Sequence, residues 1–161
     1  MKIEVKPIGT VKREDQTKII VENEYVDALE KIECFSHLII IYWLHKVEDN
    51  HRKIVKIKPK LKETPTLGVF ATRFPARPNP IGLTTVKLLE RNGSTLIVDG
   101  LDAEDGTPIL DIKPYIPIYD EPKGRVKLPK WVEKHIKNHK HFENHTYKDI
   151  LKMIEQYYRI Q

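Results

Sequence analysis

One cysteine, Cys34, stands in the whole chain. An internal disulfide is therefore excluded, which fits a reducing, cytoplasmic setting. Cys34 lies just before an apolar run, so a buried structural thiol is expected there rather than a nucleophile. Long apolar runs are missing: the longest, Leu38 to Leu44, is far shorter than the ~20 residues a membrane helix needs. No signal peptide is visible where Met1 runs straight into alternating residues, and no membrane partner is expected. No G-x-G-x-x-G follows a strand, and neither a P-loop nor a G-x-S-x-G elbow occurs. A nucleotide-like ligand would have to bind outside those schemes. His135, His139, His141 and His145 gather in the tail. No cysteine or fixed carboxylate completes a zinc spacing around them, so no metal is expected. Internal repeats and low-complexity tracts are also absent.

What is present describes a globular domain. In 161 residues, 40% are hydrophobic and 32% charged, enough for one real core with a small terminal appendage. The formal net charge is +5, which favours an anionic partner, nucleic acid first. The most constrained stretch is Gly68 to Leu83, GVFATRFPARPNPIGL. Pro75, Pro78 and Pro80 each fix φ and remove a backbone donor, and they push Phe74, Arg77 and Asn79 towards extended conformations. A stiff, extended ribbon is expected. Its Arg73 and Arg77 would stand roughly 12 Å apart in a polyproline-like chain, placed to grip different parts of one ligand or two ligands.

Along the chain, Ile3 and Val5 alternate with polar residues and predict a half-buried strand ending at Pro7-Ile8-Gly9. Thr17 to Val21 predicts a second strand, and Tyr25, Ala28, Leu29 and Ile32 a short helix. Phe35 to His45, FSHLIIIYWLH, predicts a central strand buried on both faces, with His37 and His45 at its ends as capping or hydrogen-bonded histidines. Arg52 to Lys62 is a basic strand ended by Pro59. Its lysines Lys53, Lys56 and Lys58 read equally as an edge protected against aggregation and as a phosphate-binding stripe. Leu67 to Thr72 feeds the ribbon and Ile81 to Arg91 leaves it. Asn92-Gly93 predicts a hairpin to Thr95–Val98, and Asp105-Gly106 a turn into Pro108 to Pro117. About seven short strands with one early helix favour an all-β barrel or sandwich. In the tail, Pro129 suits a helix start and Thr146 to Asp149 resembles a capping box. Tyr147, Ile150, Leu151, Ile154, Tyr157 and Tyr158 mark an apolar helical stripe.

The second chemical stretch is Asp105 to Pro117, DGTPILDIKPYIP. Strand alternation puts Asp111, Lys113 and Tyr115 on one face and Leu110 and Ile112 on the other. An acid, an amine and a phenol together could orient an adenine, a carboxylate or a reacting nitrogen. They equally read as a solvent-face ion pair between Asp111 and Lys113.

PIGTV at Pro7 to Val11, FSHL with the following YWLH, GVFATRFPARPNPIGL and LDAEDGTPILDIKPYIPIYD fall in order over roughly residues 1 to 120. In these segments the chain resembles the TsaA-like (YaeB/VirR) family, the tRNA methyltransferases also called TrmO. The loop from Lys12 to Thr17 is short and lacks a proline-glutamine stretch expected of longer members. The tail after Lys123 is unlike the larger C-terminal domain of bacterial members. The resemblance implies a mainly β fold, a single-sheeted β-barrel over residues 1–122, with a short early helix and a helical C-terminal extension over 123–161. It implies a homodimer that binds S-adenosylmethionine near the subunit boundary and methylates N6 of threonylcarbamoyladenosine beside the tRNA anticodon. Asp111, Tyr115 and Asp105 are then candidates to take or polarise the N6 proton. Arg73, Phe74, Arg77, Asn79, Thr107, Pro108 and Lys113 are candidates for the cofactor, with Phe74 stacking on an adenine. Lys53, Lys56 and Lys58 would hold RNA phosphates. The leading alternative is a non-catalytic S-adenosylmethionine- or RNA-binding protein on the same scaffold. A further one is an enzyme acting on another RNA or a small molecule.

Overall fold

A closed antiparallel barrel with the strand order β1-β2-β7-β6-β3-β8 carries the chain's main core. The computed structural model describes residues 3–59 and 64–133, and the backbone of 158–160. The strands are β1 (Gly9–Arg13), β2 (Thr17–Val21), β3 (His37–Trp43), β4 (Lys56–Pro59), β5 (Leu67–Gly68), β6 (Ile81–Asn92), β7 (Thr95–Asp99), β8 (Pro108–Pro114) and β9 (Tyr158–Ile160). One four-residue helix, α1, spans Pro117–Asp120.

Two compact units divide the chain, and neither is continuous in sequence. Met1–Val47 with Asn79–Pro117 is the barrel unit; Glu48–Pro78 with Ile118–Gln161 is the second. The boundary expected at residue 122 is thus replaced by an insertion between β3 and β6 that groups with the tail. In the barrel unit, alternation along each strand sends one face inward. Val11, Ile19, Val21, Leu38, Ile40, Tyr42, Val86, Leu96, Val98 and Ile109 fill the interior. Closure leaves no free sheet edge, since β8 returns to β1 at Gly9↔Ile109. The second unit holds the antiparallel sheet β5-β4-β9 and a smaller core of Ile54, Ile57, Val69, Phe74 and Ala76.

Several expectations are corrected. Ile3 and Val5 form no strand and are exposed; the strand begins at Gly9, where the partner β2 lies. The early helix is a pair of 3-10 turns, Asn23–Leu29 and Ile32–Cys34. Cys34 is exposed, not buried: Ile32, at the start of the same turn, is the residue that packs on the barrel core. Asn92 belongs to β6 and pairs with Thr95, so the two-residue hairpin turn is Gly93-Ser94. Gly93 adopts φ +59°, which suits glycine. Leu67 to Thr72 is a strand only over its first two residues and then tightens into a 3-10 turn, Val69–Ala71. Tyr158 opens β9 rather than a helix turn. Pro129 does start a helical turn, its carbonyl accepting from the amides of Val132 and Glu133 at 2.9 and 3.1 Å. The four tail histidines and the capping box lie outside the described residues.

Gly82 is fixed by packing. It faces Tyr42 across the β3–β6 ladder, and a Cβ there would collide with the Tyr42 ring, reaching Cδ2 at 2.8 Å and two further ring atoms more closely. The ring cannot swing away freely, because its hydroxyl donates to Asp102 Oδ1 at 2.7 Å. Gly82→Ala is expected to lower stability by about 1–3 kcal/mol, read as a fall in the urea midpoint. An unchanged midpoint would mean that Tyr42 moves aside.

Candidate functional site

The outer wall of the barrel carries the polar constellation, and a β-bulge aims it. Ile109 is fully buried and Ile112 also packs on the barrel core. They are three apart, so strict alternation would put them on opposite faces. The register with β3 resolves this: Tyr42 pairs with Ile109 but Ile41 pairs with Asp111, leaving Leu110 as the extra residue. Asp111 then shares a face with Ile41, and Lys113 with Ile39. Since Leu38, Ile40 and Tyr42 point inward, this face is the outer one. Ile81 and Leu83 of β6 continue it as exposed apolar positions opposite Trp43 and Ile41.

On that wall, Lys113 Nζ meets Asp111 Oδ2 at 2.6 Å, and the Ile112 amide donates to Asp111 Oδ1 at 2.9 Å. Both carboxylate oxygens are engaged. The hydrogen bond to Asp111, with its charge, holds the Lys113 ammonium above the usual lysine range. An ion pair this open to solvent contributes little to the stability of the fold. Tyr115 follows the strand, half-buried, with its amide on the His37 carbonyl at 3.0 Å. Asp111 and Lys113 are therefore neighbours on one face of β8, and Tyr115 comes just after the strand's last residue. Asp105 is not with them. It lies at the opposite end of β8, whose seven residues span roughly 20 Å, and its Oδ1 accepts the Arg13 amide at 2.8 Å. Within one chain Asp105 and Tyr115 cannot act on one atom.

The loop before β8 is held by a residue that local sequence does not reveal. Arg13 donates from Nε to Ala103 O at 2.9 Å and from Nη2 to Ala103 O at 2.7 Å and Leu101 O at 2.5 Å. Its partners are about ninety positions away, beyond any local signal. The same loop presents Asp102, whose Oδ1 accepts the hydroxyls of Tyr42 and Thr84 at 2.7 and 2.5 Å. Glu104 pairs with Lys46. Thr107 is buried, and its hydroxyl lies 3.4 Å from His45 Nδ1. Partial burial and the nearby Lys46 charge hold His45 below the usual histidine range. His37 bonds Ser36 Oγ at 2.9 Å, so both strand-end histidines are hydrogen-bonded as expected. Pro108 begins β8 opposite Thr10. Asn79 is exposed, its carbonyl taken by the Ile81 amide at 2.8 Å. The run of three acids in LDAEDG was the available signal for Asp102 and Glu104.

In the second unit the proline segment folds back rather than extending. Three prolines deprive it of amide donors, and Arg77 supplies donors instead: its Nη2 reaches Val69 O at 3.0 Å and Thr72 O at 2.8 Å. Arg77 is thus a clamp on its own segment. Phe74, expected to stack on a ligand, is 4% exposed and belongs to the unit's core. Arg73 is exposed, with no hydrogen bond or ion pair among the described residues. Lys53, Lys56 and Lys58 are all exposed. Charge divides sharply between the units. Among described residues the barrel unit has 9 Lys and Arg against 14 Asp and Glu, whereas the second has 10 against 5. Among the described residues, the net positive charge therefore lies in the second unit.

A family model for the tRNA-methyltransferase O N-terminal domain matches residues 4–121. The chain is 42% identical over 130 residues to a probable S-adenosyl-L-methionine-binding protein of Methanothermobacter thermautotrophicus, covering 71% of this chain and 91% of that one. It is 46% identical over 97 residues to a tRNA (adenine(37)-N6)-methyltransferase of Mus musculus, covering 60% of this chain and 22% of that one. A crystal structure of TrmO from Pseudomonas aeruginosa matches with TM-score 0.60 at 30% identity, over 78% of this chain and 61% of that chain. The chain thus spans under two thirds of the mouse and Pseudomonas proteins it matches.

Proposed function

The chain belongs to the tRNA-methyltransferase O N-terminal domain family, and from that premise we propose that it methylates N6 of an adenosine beside a tRNA anticodon, with S-adenosylmethionine as donor. The preferred substrate is the threonylcarbamoyl-modified adenosine, in the cytoplasm. The observation that carries the reading is the bulge at Leu110, which sends Asp111 and Lys113 outward from the barrel core. A bound S-adenosylmethionine supplies an electrophilic methyl on a sulfonium. The chain's own residues must hold the acceptor nitrogen in line, exclude water and receive a proton. The N6 lone pair is delocalised into the ring and carbamoyl group. Asp111 is the group proposed to accept or polarise that proton, assisted by Tyr115.

The side chains present suit the cofactor's chemistry. It carries a carboxylate, an ammonium and ribose hydroxyls. Arg73 is a free guanidinium among the described residues and can meet a carboxylate in two bonds. In the barrel unit Asp102 keeps Oδ2 without a described partner, while Oδ1 is fixed by two hydroxyls; a carboxylate so placed suits an ammonium or a ribose. Asn79, Thr107, Pro108 and Lys113 are proposed as further cofactor contacts, Lys113 alternatively meeting the threonyl carboxylate. Phe74 and Arg77 support the fold of their segment, and Asp105 the β8 turn. Lys53, Lys56 and Lys58 are proposed to meet tRNA phosphates. A homodimer through the outer wall of Ile39, Ile41, Ile81 and Leu83 would cover exposed apolar surface beside Asp111.

A binding-only protein is the second reading, favoured by the relative described as an S-adenosyl-L-methionine-binding protein. The test incubates the protein with labelled S-adenosylmethionine and two tRNA pools, with and without the threonylcarbamoyl group. Label in the modified pool alone, mapped beside the anticodon, is the expected result. Cofactor binding without transfer to either pool selects the binding-only reading.

A further inference from the structure

The second unit displays one phenylalanine where a core residue would be expected. Phe70 is 82% exposed, although it sits in an apolar stretch, Leu67 to Ala71. Its turn is held from several directions. The Val69 amide donates to Val55 O at 3.0 Å. The Val69 carbonyl accepts from the Thr72 amide at 3.1 Å, the Thr72 hydroxyl at 2.8 Å and Arg77 Nη2 at 3.0 Å. Val69 before it and Phe74 after it are buried. The backbone is thus anchored on both sides of a ring that packs on little of this chain.

The setting of this ring is cationic. Gly68, two residues before Phe70, pairs with Lys56 in the β4–β5 ladder. Lys53, Lys56, Lys58 and Arg73 are exposed in the same unit, which holds twice as many basic as acidic residues among those described. A bare aromatic ring on a basic surface matches the way single-stranded nucleic acid is held: cations follow the phosphates, and a ring gives one base a face to stack on. We propose that Phe70 is a base-stacking platform for an unpaired nucleotide of the RNA that this unit binds. Exposure alone does not make the case. Tyr119 is 80% exposed in the same unit, but Asp120 and Glu121 follow it, and phosphates would be repelled there.

This inference rests on the RNA-binding part of the proposed function and not on methyl transfer. It is tested by measuring the affinity of the full chain for an anticodon stem-loop RNA at several salt concentrations. Phe70→Ala is expected to weaken binding about 5- to 100-fold with the salt slope and cofactor affinity unchanged. Phe70→Trp should restore binding, and RNA should quench the new indole's fluorescence. Tyr119→Ala should bind as wild type, whereas Lys56→Ala should flatten the salt slope. Wild-type affinity in Phe70→Ala would overturn the platform while leaving RNA binding intact. A changed oligomeric state by light scattering would instead make Phe70 a self-association contact. Absent transfer with Phe70-dependent binding would remove the methyltransferase reading alone. No RNA binding by the wild type would remove both.

Discussion

Asp111→Asn is expected to abolish methyl transfer while leaving S-adenosylmethionine affinity within a few-fold of wild type. The substitution preserves shape, and its amide oxygen can still accept the Ile112 amide that now meets Oδ1 at 2.9 Å. What disappears is the negative charge that pairs with Lys113 at 2.6 Å and the capacity to take a proton. Removal of a positioned general base lowers rates by about 10²- to 10⁴-fold. The measurement is a single-turnover transfer assay beside a cofactor titration. Equal losses in both would recast Asp111 as the residue that holds Lys113 in place for binding. A Lys113→Met control separates these, since it removes the ammonium but leaves the carboxylate.

The second large effect is expected at Arg77, and its origin is structural. Arg77→Ala removes the donor that serves the carbonyls of Val69 and Thr72. Hydrogen bonds from charged donors are each worth about 1.5–3 kcal/mol, and water can replace part of that. A loss of about 2 kcal/mol in stability is expected by urea unfolding, together with weakened binding of cofactor and RNA as the turn between Val69 and Thr72 loosens. Arg73→Ala should leave stability unchanged and reduce binding alone, since Arg73 is exposed and bonds nothing described. Wild-type stability with abolished binding in Arg77→Ala would show instead that the guanidinium contacts a ligand directly.

These two arginines mark the limit of what the sequence made legible. The proline spacing located a constrained segment but predicted an extended ribbon, where the structure bends. It could not tell that one arginine turns back onto the carbonyls of Val69 and Thr72, because that depends on where the chain goes next. An all-β barrel or sandwich was readable from short strands and turn residues, the family resemblance selected the barrel, and Thr17 to Val21 matches β2 from end to end. Ile3 and Val5 had the same alternation as a strand but no partner, and alternation describes a face without supplying an edge to pair with. Alternation also put Asp111 and Lys113 on a common face, as their pairing with Ile41 and Ile39 has it, while Tyr115 lies beyond the end of β8. It did not reveal the bulge at Leu110, which decides that this face is the outer one. Phe74 and Phe70 are four positions apart in one motif, and composition does not say which is inside. Packing of Phe74 with Ile54, Ile57, Val69 and Ala76 decided it.

The barrel leaves its own wall after β3 and resumes it at β6, and these two strands are direct neighbours: Trp43 faces Ile81, and the Leu44 amide bonds Pro80 O at 2.8 Å. The chain departs and returns within one strand spacing, about 5 Å. A segment with such close ends can grow, shrink or be exchanged with little penalty to the barrel, since each doubling of a connecting length costs only about 0.6 kcal/mol in closure entropy. The basic residues Lys53, Lys56 and Lys58 and the turn of Phe70 all ride on this exchangeable segment. The wall that holds Asp111 does not. Over evolutionary time the surface proposed to meet RNA could therefore be rewritten while the strands that carry the proposed chemistry stay as they are.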